Sequence, residues 1–553
     1  MPQWVVWGVL VVLVVGPLLP LLLASLRSKP YYLPGGTFTL HAYQQLFTDP
    51  DFWIAVENTV LFAVLTTALA VTAGTVFAIL CGRTNMPGRK VYGVLLVAPV
   101  VIPPLGLIVG WVSVYGQSGY LTGLVASLHL PVWNLSSIPG MAVLGAAVTT
   151  PIAFLTCQSA LAGSDTALED AARSAGAGAL QAITRITVPL LRPAILNCGV
   201  LIFTLSLEVL GIPLFLGQPS HINLYATYLY RAWNNSGVPD PPFVSAGAVL
   251  LLVVVTALLL LRTRLAGAEQ RFIATSPRGG IGYQPLDLRG WRRPLAVLVG
   301  LFITVTSAVP LVGLVVMSSV KALTTLVAPW DLLTGGNWRQ LVTDSTVRRA
   351  IMDSLLIGTL GGAVTVALVA VATLIAHRSG FPLRRTIAPL LAYPRAVPGI
   401  ILGIGFFWSY LMVEPGPYVR NNIWGEMIVL SVRNITLAYV VIYPSLARIN
   451  EELDRAARAT GAGWWTTAGR VLLPILRPSL VAAFLLVFVS ILNDYDPVVF
   501  LQKPGTEVIG VTMLQFWQKG ALGPVAALAV VQIIVVGVVL AIGARVIRKG
   551  RHA

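Results

Sequence analysis

The amino-acid sequence predicts an all-α membrane protein with about twelve transmembrane helices in two parallel six-helix repeats. Three observations support this fold class: the composition is strongly apolar, apolar runs of membrane-spanning length recur along the chain, and the two halves of the sequence resemble each other. Of the 553 residues, 56% are hydrophobic and only 10% are charged, whereas soluble domains carry about 25% charged residues. Such a chain is suited to lipid.

The apolar runs define the candidate spans, because a bilayer core of about 30 Å requires about 20 apolar residues per helix. Runs near this length, some interrupted by Gly or Pro, lie at about 4–25, 55–80, 91–113, 140–161, 194–216, 242–262, 294–318, 350–376, 386–412, 427–447, 479–500 and 522–546. The first run is long for the apolar region of a signal peptide, and no basic residue precedes it. We therefore interpret it as an uncleaved span.

The net charge of +16 is explained by where the basic residues fall. If both termini are cytoplasmic, 25 of the 37 Lys and Arg residues lie on the cytoplasmic side, which is more than twice the number on the other side, and Arg395 lies within a span. This excess predicts a multi-pass protein of the bacterial inner membrane with both termini in the cytoplasm. Contact with anionic lipid headgroups accounts for the charge, so a nucleic-acid partner is not expected.

The chain contains an internal repeat. At an offset of 285 residues, the segment 169–193 aligns with 454–478, and many of its residues recur in register. At an offset of 295, six residues of the first half fall on identical residues of the second: Arg83, Pro87, Arg89, Pro99, Pro103 and Gly110 fall on Arg378, Pro382, Arg384, Pro394, Pro398 and Gly405.

Six spans per repeat is an even number, so the two repeats run parallel and are related by an axis along the membrane normal. The predicted organisation is a first permease-like repeat at residues 1–262, a basic cytoplasmic linker at 263–293, and a second repeat at 294–553. Transporters built of duplicated halves carry their pathway between them.

The most similar part of the repeat lies between the fourth and fifth spans of each half. There, each copy predicts a short amphipathic helix that ends at a Gly. Such a helix packs either on its own bundle or in a groove of a partner, and its small residues permit close approach. Its duplication at the same topological position favours the partner.

These segments resemble the Glu-Ala-Ala loop of permease subunits of binding-protein-dependent ABC importers. The matching residues are Asp170, Ala171, Ala172, Gly176, Ile186 and Pro189, and Ala456, Ala457, Gly461, Val471 and Pro474. The resemblance implies the type I ABC importer permease fold and a coupling helix that docks into a cytoplasmic ATPase. The neighbouring acids Glu169 and Asp454 join the predicted coupling residues. Asp170 replaces the family Glu, and Arg455 stands where the second Glu is expected.

The ATP-hydrolysing machinery is expected on another subunit. A phosphate-binding loop ends in Gly-Lys followed by Ser or Thr, and no Lys of this chain follows a Gly. We predict two copies of an ABC ATPase, an extracytoplasmic substrate-binding protein, and no cofactor in this chain, with ATP and Mg on the ATPase. The His and Cys residues are scattered, so no catalytic or metal site is expected.

Charged residues inside spans are costly and are therefore functional candidates. Glu208, Arg395, Asp494 and Asp496, with the adjacent Tyr495, are the candidate pathway residues. Nearby Pro and Gly residues should break the helices locally, which membranes tolerate beside a cavity or packed protein. One hypothesis is an acidic translocation pathway; the other is an ion pair between Arg395 and one of the carboxylates.

The phrases around Glu208 and Asp494 are similar to those of fused permeases of ferric-iron importers, which implies ferric iron as the solute. Fused permeases of similar build also carry thiamine, sugar phosphates, aminophosphonates or polyamines. Two rival classes are a secondary transporter and a membrane-embedded enzyme. An ion-driven secondary transporter could use the same intramembrane acids, but the duplicated loop argues against it. A membrane-embedded enzyme would need a catalytic constellation that the sequence lacks.

Overall fold

The computed structural model describes residues 2–164, 167–234, 240–269, 285–324, 327–503 and 505–549. Throughout these ranges the chain is helical, and extended pairing is limited to isolated bridges such as Arg27 with Phe38. The predicted all-α class is confirmed. In the described residues, ten helices are long and apolar enough to cross a membrane, and two bent helix pairs raise the number of spans to 12.

We number the spans in chain order. Spans 1 to 6 are Pro2–Ser25, Pro50–Arg83, the bent pair Arg89–Val100 with Pro104–Ser127, Ile138–Gly163, Ala179–Leu207 and Pro241–Arg264. Spans 7 to 12 are Arg289–Ser318, Ser345–Arg378, the bent pair Arg384–Ala396 with Gly399–Met412, Ile423–Ala447, Trp464–Asn493 and Leu522–Val546. Shorter helices connect them, at His41–Thr48, Ala167–Ser174, Tyr225–Asn234, Gly336–Thr343, Gly416–Arg420, Glu452–Ala459 and Ile509–Gln518.

The two bent spans occupy equivalent positions in the two halves. Span 3 turns by 103° and span 9 by 108°. In each, a Pro precedes the second helix with an extended ψ angle, 129° at Pro103 and 143° at Pro398. A Pro lacks the amide hydrogen that an α-helix needs and disfavours helical geometry in the residue before it. The predicted local helix breaks are confirmed here.

Spans 5 and 11 are displaced from the apolar runs that predicted them. They begin at Ala179 and Trp464 and end at Leu207 and Asn493, whereas the runs were 194–216 and 479–500. The helices start earlier because their first turns are amphipathic, and they end earlier because Glu208 and Asp494 take the C-cap positions. The charged candidates therefore lie at helix ends.

The chain forms two compact units that differ in composition from the sequence repeats. One unit comprises residues 1–49, 231–253 and 338–553, and the other comprises 50–230 and 254–337. Each unit thus contains the first span of the opposite sequence half. The predicted boundaries at 262 and 294 concern the sequence repeat and stay a prediction.

The exchanged first span is held in the same way in both units. Within one unit, a Cβ added at Gly405 of span 9 would lie 2.6 Å from the carbonyl oxygen of Pro17 in span 1. Within the other, a Cβ added at Gly110 of span 3 would lie 2.3 Å from the carbonyl oxygen of Pro310 in span 7. The repeated Gly therefore allows backbone contact in each unit.

The predicted linker is described only in part, since residues 270–284 lie outside the described residues. Its first residues continue the helix of span 6 as far as Glu269. Its later part pairs with the end of span 2: the amide of Leu286 donates to the carbonyl of Arg83 at 2.9 Å, and the amide of Asn85 donates to that of Leu286 at 3.1 Å.

Candidate functional site

The repeated inter-span loops have the same backbone geometry. Loop A (residues 167–178) and loop B (residues 452–463) each contain one short helix followed by a left-handed Gly, with φ of +86° at Gly176 and +85° at Gly461. In loop A the amide of Gly176 donates to Arg173 and that of Ala177 to Ala172, both at 2.9 Å. Loop B repeats these two bonds at 3.0 and 3.2 Å. This is the Schellman ending, in which Gly avoids the strain of a positive φ.

Loop A is fastened to span 2 by a buried ion pair. The Nε of Arg83, the last residue of span 2, lies 3.5 Å from Oε1 of the buried Glu169. The Thr187 hydroxyl donates to the same Oε1 at 2.9 Å. Arg83 also donates to the carbonyl of Leu161 at 2.8 Å, at the end of span 4.

Loop B is fastened in the same way to span 8. Nη1 of Arg378, the last residue of that span, lies 3.1 Å from Oδ2 of the buried Asp454. Nη2 of Arg378 donates to the carbonyl of Leu446 at 3.1 Å, near the end of span 10. The indole of Trp464, which begins span 11, donates to the carbonyl of Arg378 at 2.9 Å. One arginine thus connects three spans with the loop.

Each loop, and the first turn of the span that follows it, also exposes an apolar side chain away from these ion pairs. Leu168 and Leu180 are 56% and 73% exposed, and their counterparts at the 285-residue offset, Leu453 and Trp465, are each 45% exposed. Ala171 and Ala456 of the matched motif are exposed as well. We call Leu168 with Leu180, and Leu453 with Trp465, the apolar pairs of loops A and B.

The remaining predicted loop residues have structural positions. Ala172 and Ala457 are half-buried. Pro189 and Pro474 lie inside spans 5 and 11, each at the second residue after a π-helical turn. Asp170 forms an ion pair with Arg173 on the surface of loop A.

The candidate pathway residues of the second half gather around an arginine of span 10. Asp494 forms an ion pair with the buried Arg433, and its Oδ2 lies 3.8 Å from Nη1 of the exposed Arg395. Arg433 also donates to the carbonyl of Val397, at the break in span 9, at 3.2 Å. This geometry favours the ion-pair alternative for Asp494, with Arg433 as the nearer partner.

The other candidates are placed differently. Tyr495 is buried against Gly510, and Asp496 packs at the break of span 9, where a Cβ added to Gly399 would lie 3.0 Å from its own Cβ. Glu208 belongs to the other compact unit, at the end of span 5. Within the described residues, no three His, Cys, Asp or Glu side chains come together as a metal site.

Both halves match one protein family. The model for the "binding-protein-dependent transport system inner membrane component" covers residues 74–268 and 368–551. The chain belongs to this family. It is therefore the fused, two-repeat permease subunit of an ABC importer and a multi-pass protein of the inner membrane, and its role is transport. The predicted fold class and family are confirmed.

Proteins named as permeases of transport systems are similar to this chain at low identity. The ferric transport system permease protein of Actinobacillus pleuropneumoniae is 22% identical over 521 residues, which span 91% of this chain and 72% of that protein. A protein of Sinorhizobium fredii named as a probable ABC transporter permease is 24% identical over 98% of this chain and 94% of its own length. The sulfate transport system permease protein of Escherichia coli is 26% identical over 41% of this chain and 78% of its own length.

Sequence reasoning missed two features of this permease. It aligned Arg83 with Arg378 and Glu169 with Asp454 but did not pair arginine with acid, although both recur in both halves. It also passed over Arg433, which interrupts the apolar run 427–447. A charge in the middle of a span was the available signal.

Proposed function

We propose that this permease imports a solute delivered by an extracytoplasmic binding protein, and that loops A and B are the coupling helices on which two copies of a cytoplasmic ABC ATPase dock. The observation that carries the proposal is the recurrence of the apolar pairs. Two loops 285 residues apart share a backbone conformation, and apolar side chains are exposed at the same two positions, one on each loop helix and one at the start of the following span.

The apolar pairs suit a protein partner better than water. Burying a Leu side chain contributes about 1.5 to 3 kcal/mol, and Trp is enriched among the residues that dominate interfaces. The exposed Ala171 and Ala456 allow a partner's groove to approach the helix backbone closely. Docking through this apolar face leaves Glu169 and Asp454 in their internal ion pairs.

The ion pairs supply the mechanical connection. A movement of loop A is passed directly along the chain to span 5, and through Arg83 to the ends of spans 2 and 4. Loop B is connected likewise to span 11, and through Arg378 to spans 8 and 10. Because these contacts are buried and charge-assisted, each loop and its spans should move together.

This function requires the loops and both termini to be cytoplasmic, as the Lys and Arg distribution predicts. ATP and Mg then belong to the ATPase subunits, and this chain provides docking and passage. The binding protein engages the opposite face.

The direct test is reconstitution of the full chain in liposomes with the ATPase subunit and the binding protein. We expect the ATPase to co-purify at two copies per chain, and uptake to require ATP hydrolysis. If no ATPase is retained, and if uptake proceeds without ATP but stops when the proton gradient is collapsed, the protein is an ion-driven secondary transporter.

For the solute we propose ferric iron. A relative matched over most of this chain is a ferric transport permease, and the acids Glu208 and Asp496 suit a cation. Another relative, matched over less of the chain, is a sulfate permease, and Arg395 and Arg433 suit an anion. Uptake of radioactive ferric iron and of radioactive sulfate by the same proteoliposomes separates these alternatives. Sulfate uptake without iron uptake would refute the iron assignment.

A further inference from the structure

Beside loop B lies an open cavity of about 650 Å³ with a basic wall. It is formed by the end of span 8, the start of span 9 and one face of the loop B helix. Besides Arg378, which forms the ion pair with Asp454, four arginines line it: Arg384, Arg385, Arg455 and Arg458. Its volume lies within the range of small-molecule sites.

The charge of this cavity is not balanced by acids of its own. Its carboxylates are Asp454, which is paired with Arg378, and Glu451. The four further arginines against Glu451 leave a formal charge of +3 (4 − 1). In the described residues none of these four arginines has an ion-pair partner within 4 Å. One is partly engaged, since Arg384 donates to the carbonyl of Ser379 at 2.8 Å.

The helix of loop B separates this basic face from its apolar face. Successive residues of an α-helix are rotated by about 100°. Glu451, Asp454, Arg455 and Arg458 therefore fall within a sector of about 100°, and Leu453 and Ala456 lie outside it. A ligand in the cavity therefore does not compete for Leu453.

The cavity also lies at the level where a bilayer has its headgroups. Arg378 is the last residue of span 8 and Arg384 the first of span 9, so the basic wall stands at the ends of two apolar helices. Phospholipid phosphates lie at this level, and basic pockets between spans are suited to them. Arginine forms bidentate hydrogen bonds with phosphate oxygens.

We propose that this cavity binds a phosphate group, and that its occupant is the headgroup of an anionic phospholipid. The site is specific to the second half. In loop A the position of Arg455 is taken by Asp170, which pairs with Arg173, the counterpart of Arg458. The lipid would hold the ends of spans 8 and 9 and the inner face of loop B together.

The test uses the full chain in mild detergent with equal amounts of phosphatidylglycerol and phosphatidylcholine, and native mass spectrometry counts the lipids retained. We expect one phosphatidylglycerol to be held preferentially. Arg455→Asp, which installs the loop A residue type, should lower its retention roughly tenfold, because the change removes one positive charge from the cavity wall and adds a negative one.

The matched pair of variants is Arg384→Gln/Arg385→Gln against Arg89→Gln/Lys90→Gln in the first half. Arg89 donates to the carbonyl of Thr84 at 2.7 Å, as Arg384 does to that of Ser379 at 2.8 Å, so each double variant removes one equivalent hydrogen bond. Only the former should lose the lipid. Equal losses from both, or none from either, would overturn the site.

Two further arms identify the occupant. If millimolar inorganic phosphate displaces phosphatidylglycerol and is itself retained, the cavity takes free phosphate, and the lipid assignment is overturned. If Arg455→Asp retains lipid as the wild type does but loses the ATPase subunit, the arginines serve a protein partner and the phosphate site is refuted. Unchanged ATPase retention with loss of lipid supports the proposal, and does so whatever solute is carried.

Discussion

Loops A and B share their mechanical parts and differ in their polar chemistry. Both have the Schellman ending, the apolar pair and an arginine that reaches back from the end of a span. In loop A the acid paired with that arginine is Glu169, which also accepts a hydrogen bond from Thr187, and the surface acid Asp170 neutralises Arg173. In loop B the acid paired with the arginine is the shorter Asp454, whose Oδ1 has no hydrogen-bond partner among the described residues. At the surface position, Arg455 replaces Asp170.

This difference indicates what duplication has to keep. The backbone path and the apolar contacts fix how a helix transmits movement, and they are the same in both halves. The charges around the helix can diverge once the helix is held, because each half needs only its own buried acid satisfied. Variants made in matched pairs, one in each loop, separate the shared function from the divergent chemistry.

The largest difference in stability between matched variants of the two loops should come from substituting Arg83 and Arg378. Arg378→Gln leaves the buried Asp454 without its ion-pair partner, and breaking a buried pair costs about 3 to 5 kcal/mol. Arg83→Gln should cost less, because Glu169 keeps the Thr187 hydroxyl. Thermal unfolding of the detergent-solubilised chain measures both, and Arg378→Gln/Asp454→Asn should recover part of the loss. A larger loss of thermal stability from Arg83→Gln than from Arg378→Gln would contradict this ranking of the two ion pairs.

The apolar pairs should come next. Trp465→Ser is expected to weaken ATPase binding by about 2 kcal/mol or more, as truncation of an interface anchor does. Leu180→Ser should weaken it less, because Leu buries a smaller area. ATPase retention on immobilised permease measures the effect, with the unfolding temperature as the control. If both variants bind the ATPase normally, the docking face lies elsewhere on the loops.

The glycines should behave alike in the two loops. A Cβ at Gly176 or Gly461 would meet no atom within 4 Å, so a substitution acts only through the positive φ. Val at either position should cost about 1 to 3 kcal/mol of backbone strain and impair uptake. Asn, which tolerates this conformation, should retain most of the uptake. Uptake in proteoliposomes at matched insertion levels measures this, and full activity of both Val variants would remove the requirement for the Schellman ending.

The spans and the loops could be predicted because their signals are local. The length of an apolar run predicts a span. The break in spans 3 and 9 is predicted by prolines that recur in both halves, Pro99 as Pro394 and Pro103 as Pro398. The exchange of first spans between units could not be predicted, because the apolar sequences of spans 1 and 7 do not specify which other spans they pack against. The contacts of Gly405 with Pro17 and of Gly110 with Pro310 show it.

The ion pairs that connect the loops to spans 2 and 8 could be predicted only in part. Arg83 and Glu169 are separated by 86 positions of sequence, and nothing local connects them, but each recurs with its counterpart in the other half. A pair of opposite charges that recurs together is a contact signal inside a single sequence. The pairing of Asp494 with Arg433 had no such signal, because the first half has Val148 at the equivalent position, and only a buried charge in need of a partner pointed to it.

The smallest effect is expected at the surface position where the loops diverge. Asp170 and Arg173 are partly exposed, and such pairs contribute about 0 to 1 kcal/mol that salt screens. Asp170→Asn should therefore change the unfolding temperature and ATPase retention little, and raising the salt concentration should abolish what difference there is. Asp170→Arg should also be tolerated, because loop B functions with Arg455 at that position. A loss of ATPase binding by Asp170→Arg would show that the polar face of loop A contacts the partner, and that the two loops dock through different surfaces.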